Sequence, residues 1–150
     1  MIKVPQYNIQ IHPGADYKMD LQFLADDEGE ITDYSVMVVN GILYDGSGCY
    51  VEDGVLYCTS RWSAANNTAY YSSEIGSLKA QLREYPEAID YFDFEISVDK
   101  DGYHLVLSHD VTEKIAWSYG VYDVFLIDSD GTRTKILTGD AEVITGGTRW

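Results

Sequence analysis

The stretch Val121-Tyr122-Asp123-Val124-Phe125-Leu126-Ile127, followed by Asp128-Ser129-Asp130-Gly131, decides the fold. Tyr122, Val124 and Leu126 alternate with Val121, Asp123, Phe125 and Ile127 at the period of two that a β-strand imposes. Both sets are largely apolar, so this strand is expected at the centre of a sheet. Asp130-Gly131 supplies hairpin-turn chemistry directly after it.

The same alternation recurs outward along the chain. Residues 17–23 place Tyr17, Met19, Leu21 and Phe23 on one face and Lys18, Asp20 and Gln22 on the other. Residues 92–98 place Phe92, Phe94, Ile96 and Val98 inward, and 103–107 add Tyr103, Leu105 and Leu107. Asp101-Gly102 reads as the turn between these two. Shorter strands are expected over 6–11, 34–39, 133–138 and 140–144, with Thr138-Gly139-Asp140 as a tight turn between the last pair. Many short strands separated by turn signals predict an all-β fold, an antiparallel sandwich or barrel.

Helix is scarce. Residues 73–84 predict about two turns, with Ile75, Leu78 and Leu82 on one face and Pro86 as a stop. Asp110 reads as the cap of a short turn over 111–116, with Glu113 in the capping-box position. The 150 residues suit one domain. Residues 40–90 differ from the rest, with a Gly-rich loop, a hairpin, a polar run and the helix. They read as an inserted hairpin-plus-short-helix segment, because ~50 residues is marginal for an independent core.

Acidic side chains number 25 against 10 basic, a formal net charge of −15. The halves carry −8 (residues 1–75) and −7, so the acidity is spread. A field of that sign repels phosphate backbones and anionic lipid heads. The sequence shows no opposing run of Lys and Arg, so neither nucleic acid nor a membrane surface is an expected partner. No apolar run approaches the ~18 residues of a membrane span. The start of the chain lacks the features of a signal peptide, so synthesis in a cytosol is expected.

Cys49 and Cys58 flank the turn Asp53-Gly54. A two-residue turn there opposes Cys49 to Cys58 and Tyr50 to Tyr57, with the cysteines at a non-hydrogen-bonded position. Such pairs have Cα atoms about 4.5 Å apart, within reach of a disulfide. A bond locking the hairpin and two reduced thiols side by side both fit, since cytosols keep thiols reduced.

Motifs with required chemical spacing are lacking. Calcium loops begun at Asp99 or Asp128 would need Gly at the sixth position and Glu at the twelfth. Those positions hold His104 and Asp110, or Arg133 and Gly139. His12, His104 and His109 have no spacing that suggests a metal or general-base site, and His104 is expected on an exposed face. Nucleophile-elbow, zinc-protease, phosphate-loop and dinucleotide motifs are likewise missing from the sequence. No catalytic residue, metal or cofactor is therefore expected. Asn66-Asn67-Thr68 fits a glycosylation sequon, which carries meaning only in a secreted chain.

Of 13 Tyr, 3 Trp and 4 Phe, one group lies outside any core pattern: Tyr50, Tyr57, Trp62, Tyr70 and Tyr71. Tyr and Trp are typical interface anchors, so these five are candidates for contact. A satellite core over the sandwich would explain them equally well.

A further set of residues carries a family resemblance. Gly14-Ala15-Asp16-Tyr17 precedes the first long strand. Thr112-Glu113-Lys114-Ile115-Ala116-Trp117-Ser118-Tyr119-Gly120-Val121-Tyr122-Asp123 leads into the central one. Asp128-Ser129-Asp130-Gly131-Thr132-Arg133 and Leu137-Thr138-Gly139-Asp140-Ala141-Glu142-Val143 follow, and Thr148-Arg149-Trp150 closes the sequence. This order resembles a diffuse group of tailed-bacteriophage virion proteins. Those carry G-x-D-[YF], then T-x-x-I-x-x-G-x-Y-x-[YF]-D, then a D-x-D-G-x-x-x-x-L-x-G hairpin ending in V-T-R. The N-terminal domains of upper-baseplate and tail-fibre-anchoring proteins look similar. The resemblance covers 6–39 and 91–149, a little over half the chain. It departs at residues 40–90, which have no counterpart, and at Gly147, where the group has Val.

The resemblance implies an Ig-like β-sandwich serving as a non-enzymatic structural part of a virion assembled in the host cytoplasm. Tail, baseplate, collar and head surface all fit. The implied partners are other virion proteins and copies of the same chain in a symmetric ring or lattice. A second expectation, from the exposed aromatics with Asp and Asn, is a carbohydrate-binding module recognising a host-surface glycan.

Overall fold

The strand at 121–127 lies inside a sheet, as its two apolar faces require. It forms β12 (Tyr119–Ile127), paired with β13 (Arg133–Val143) on one side and β8 (Ser77–Arg83) on the other. β1 (Ile9–Ile11) lies outside β13 and β9 (Phe92–Asp93) outside β8, giving the order β1-β13-β12-β8-β9. A second sheet runs β10 (Glu95–Asp99), β11 (Gly102–Leu107), β2 (Tyr17–Leu24), β3 (Val36–Val39) and β4 (Ile42–Asp45). β7 (Ala69–Tyr70) pairs with β2. β5 (Cys49–Glu52) and β6 (Val55–Cys58) form a separate hairpin, and α1 (His109–Thr112) is a single helical turn. These assignments come from a computed structural model describing residues 4, 6–24, 36–40, 42–45, 49–52, 55–58, 69–70, 76–99 and 102–147.

The two sheets share one core. Leu82, Val124 and Leu137 of the first and Met19, Leu21 and Leu105 of the second are fully buried in a single cluster. The fold is thus an all-β sandwich. Tyr103 and Tyr122 are buried, as their inward strand positions require, while Asp20, Asp93 and Glu95 lie outward and exposed. One pairing departs from the antiparallel pattern: β1 runs parallel to β13.

Several expectations need correction. The helix expected over 73–84 is instead β8 across residues 77–83, with residues 73–75 outside the described ones. Leu78, Ala80 and Leu82 face the core, while Lys79, Gln81 and Arg83 face out. Leu78 and Leu82 fit both periods, because four residues is about one helical turn and two strand repeats. The residues favour helix, but the open edge of β12 decides the outcome, a tertiary override of local propensity. The segment read as an insertion therefore supplies β4, β7 and β8 to the two sheets.

Thr138-Gly139-Asp140 is no turn, since β13 runs unbroken through it. Gly139 is there for close approach. A Cβ on it would lie 2.0 Å from the Tyr7 carbonyl oxygen. The register slips between Val124 and Phe125, where Val124 opposes Leu137 and Phe125 opposes Lys135. Ile136 is the extra residue, and the bulge lets both Ile136 and Leu137 reach the core. The turn-forming residues Thr138-Gly139-Asp140 are what make this one strand look like two in sequence.

Residues 92–98 also divide. β9 belongs to the first sheet and β10 to the second, with Phe94 buried at the crossover. The turn expected over 111–116 begins earlier, at His109, with Ser108 rather than Asp110 at the N-cap position. Its true cap comes from across the chain, because Asp16 accepts the His109 backbone N–H at 2.6 Å.

The resemblance motifs are fold determinants. Gly14 (φ +88°) turns the chain ahead of β2, and its N–H donates to the Thr112 hydroxyl at 3.1 Å. That hydroxyl donates to the Ala15 carbonyl at 2.9 Å. The first two motifs thus bind each other, with Thr112 fully buried and Ile115 in the core. In the second motif the Tyr122 hydroxyl donates to the Tyr7 carbonyl. In the third, Asp128 accepts the N–H groups of Asp130 (2.9 Å) and Thr132 (3.0 Å) to shape the turn.

Candidate docking surface

The connection from β8 to β9 carries Tyr85, Ile89 and Tyr91, which no periodicity assigns to a core. All three are exposed, Ile89 at 91%. Tyr119, where β12 begins, is 70% exposed. Val4 and Val98 join these four as exposed large apolar residues among those whose side chains are described. Burying an Ile side chain is worth roughly 1.5–3 kcal/mol, so Ile89 holds that much unused binding energy.

Arg83, the last residue of β8, ties the connection down. Its guanidinium donates to the Ala88 carbonyl and to Gln81 Oε1 (2.9 Å). It also lies 4.6 Å from the centroid of the Tyr91 ring. The Ala88 N–H donates to the Tyr85 carbonyl at 3.0 Å, closing a turn around Pro86. Such fixing lowers the ordering cost that binding would otherwise incur.

Tyr119 also borders a groove of about 750 Å³ with Glu84, Tyr7, Tyr17, Asp140 and Glu142 on its walls. Asn40 organises one wall from a left-handed conformation (φ +49°) that asparagine tolerates. Its Oδ1 accepts the Asp20 N–H at 2.8 Å and its Nδ2 donates to the Tyr7 hydroxyl at 2.9 Å. Burial pushes the Tyr17 phenol well above the usual tyrosine range, with the Tyr7 hydroxyl nearby adding to the shift. Tyr17 therefore stays neutral. Stacking rings, fixed hydroxyls and carboxylates make a surface able to bind polar, ring-shaped or peptide ligands. Among the described residues, no group of three or more His, Cys, Asp or Glu is arranged to hold a metal ion. No helix among them is long and apolar enough to cross a membrane.

Two histidines are paired with acids. His104 on β11 lies between Asp20 (2.6 Å) and Asp99 (2.9 Å). His109 lies 3.0 Å from Asp16 and 3.5 Å from Asp110. Hydrogen bonds, first to Asp20 and then to Asp99, raise the pKa of His104, and the bond to Asp16 raises that of His109. Hydrogen bonds from His109 lower that of Asp16. The histidine contribution is therefore complete below the ordinary imidazole value of 6.5 and lost as pH rises through the raised values. The Asp16 contribution is present above 3.8 and lost as pH falls through its lowered value. The melting temperature is thus expected to fall from about pH 6 to about pH 8.5, and less so in the double variant His104→Gln/His109→Gln. Parallel thermal melts check this, and identical slopes for the two proteins would refute it.

The five contact candidates read from the sequence are a different set of residues. Trp62 and Tyr71 are outside the described residues. Tyr50, Tyr57 and Tyr70 lie in β5, β6 and β7, their side chains outside the described ones. Cys49 opposes Cys58 and Tyr50 opposes Tyr57, the register that Asp53-Gly54 implies. The side chains of both cysteines are also outside the described ones. Sequence reading missed Tyr85, Ile89, Tyr91 and Tyr119, although an aperiodic Tyr-Pro and Ile-Asp-Tyr after the periodic stretch 73–84 was a usable signal.

No protein-family model matches the chain, and no curated protein sequence is similar to it.

Proposed function

We propose that this protein is a non-enzymatic structural component of a tailed-phage virion, acting by protein–protein contact in the tail, baseplate, collar or head surface. The virion setting rests on the motif resemblance. The observation that carries the contact reading is the exposure of Tyr85, Ile89 and Tyr91 on the connection braced by Arg83, and of Tyr119 at the start of β12. Aromatic residues with an apolar anchor are what interfaces bury. Repetition around a symmetric particle would multiply a modest contact into a stable one.

The test is incorporation of Ile89→Asp/Tyr119→Ser into particles beside the wild-type chain. Both sites are exposed, so the fold should be kept, which circular dichroism checks. Losing one well-buried Ile contact weakens binding about 10- to 100-fold, and incorporation should drop accordingly. Undiminished incorporation of the folded variant would sink the proposal.

A second reading, recognition of a host-surface glycan, is favoured by the tyrosine- and carboxylate-lined groove. Sugars stack on such rings and hydrogen-bond to such acids. A glycan array probed at millimolar ligand should then show binding that Tyr119→Ala removes. No binding at that concentration discards this reading.

A further inference from the structure

The groove beside Tyr119 carries charge of one sign. Its walls hold Glu84, Asp140 and Glu142, and no lysine, arginine or histidine lines it among the described residues. All three acids are exposed, and among the described residues none of them makes a salt bridge. The strand register sets one cation beside this end of the sheet, Arg83 opposite Val121. Its guanidinium is already engaged by the Ala88 carbonyl, Gln81 and the Tyr91 ring.

Rings stand beside the carboxylates. Tyr119 is directly opposed to Glu142 across the strands. Residues so opposed have Cβ atoms about 4.5–5.5 Å apart, so ring and carboxylate share one patch of surface. Tyr7 and Tyr17 add two further rings to the walls. The Asp140 N–H donates to Asn8 Oδ1 at 3.0 Å, which fixes that part of the wall. Further along the same sheet the chain shows what such a combination binds. Phe125 is opposed by Lys79 on one side and Lys135 on the other. Lys135 Nζ lies 5.6 Å from the Phe125 ring centroid and 3.7 Å from Asp123. There an aromatic ring and a carboxylate take one cation together.

We propose that this groove receives an arginine-bearing basic segment of a partner protein, with a guanidinium stacked on Tyr119 and paired to Glu142. Arginine suits the site better than lysine. Its planar head both stacks on a ring and meets a carboxylate through two parallel hydrogen bonds. Charge complementarity selects this occupant. A neutral glycan can hydrogen-bond to the three acids but brings no charge to offset theirs, and an anionic one is repelled. The net charge of −15 also steers a basic partner toward the chain. A groove of about 750 Å³ falls within the roughly 300–1,000 Å³ usual for ligand sites. This inference rests on the contact reading above and names the chemistry of its partner.

Calorimetric titration of the full chain with a synthetic hexa-arginine peptide, at about 0.15 M salt and with circular dichroism as a fold control, tests it. Wild type should bind this peptide, and hexa-lysine more weakly. Glu84→Gln/Glu142→Gln should weaken binding about tenfold or more, the effect of losing hydrogen bonds to charged groups. Glu95→Gln/Asp130→Asn removes the same charge at exposed positions that do not line the groove. Screening should hold its effect below about threefold. Tyr119→Leu keeps the net charge and should erase most of the preference for arginine over lysine. A wild type that binds neither peptide at millimolar concentration would overturn the proposal. So would equal weakening by the two charge-removing pairs, which marks general attraction to an acidic chain, or an arginine preference that survives Tyr119→Leu. A chain that binds no basic peptide but whose incorporation into particles still depends on Ile89 would remove this inference and leave the contact reading standing.

Discussion

Gly139→Ala is expected to destabilise the protein by about 3 kcal/mol, the upper end of the usual cost of overpacking. The added methyl would lie 2.0 Å from the Tyr7 carbonyl oxygen, 2.7 Å from its carbon and 2.9 Å from Tyr122 Cε1. Two of those atoms are backbone, so no flexible side chain can move aside. The strand leading into β1 would have to lift away. The Tyr7 N–H bond to Thr138 O (2.8 Å) and the Tyr122 hydroxyl bond to the Tyr7 carbonyl would suffer with it. Gly146→Ala is the control, because a Cβ there meets nothing within 4 Å. Surface changes of that kind usually stay within about 0.5 kcal/mol. Chemical denaturation of both variants checks the contrast. Equal stabilities would mean that the segment before β1 does not press on β13.

Phe94→Ala is expected to cost about 3–5 kcal/mol, a large share of the 5–15 kcal/mol typical of a domain. Phe94 sits where the chain leaves the first sheet at β9 and enters the second at β10. Its ring meets Tyr17 edge-on at 6.4 Å and Tyr122 at 6.0 Å, one from each sheet. Its N–H donates to the Ala80 carbonyl at 3.0 Å, holding the crossover against β8. Removing the ring leaves a cavity between the sheets, and neighbours fixed by backbone pairing collapse into it poorly. The urea midpoint should fall by about 2 M, given the slopes usual for small proteins. Phe94→Leu should lose much less, since most of the volume stays. A Phe94→Ala midpoint near wild type would show that the crossover is not a packing point.

Much of the sandwich was legible in the sequence where one residue type had one role. β12 announced its central place by being apolar on both faces, and β2, β11 and the Cys49–Cys58 hairpin followed from alternation and turn residues. The failures came where two physical demands overlapped. Leu78 and Leu82 satisfy helix and strand spacing alike, and only the vacancy beside β12 resolves them. Thr138-Gly139-Asp140 carries turn chemistry inside β13, so a continuous strand imitates two. Gly139 serves a close approach by a segment some 130 residues away, which local turn rules cannot anticipate. The cap from Asp16 to α1 is equally non-local.

The candidate surfaces were less legible. Tyr85, Ile89 and Tyr91 matter because they lack a core to join, and that is a property of the folded chain. Lys79 was set on a helix by its neighbours' spacing, so its place beside Phe125, Arg133 and Lys135 could not be foreseen.

Cryo-electron microscopy of assembled particles carrying this chain tests the contact account most directly. The expected map shows many symmetry-related copies, each with Ile89 and Tyr119 buried against a neighbouring protein. A map in which every copy leaves that surface open to solvent, or particles that contain none of this chain, would contradict it.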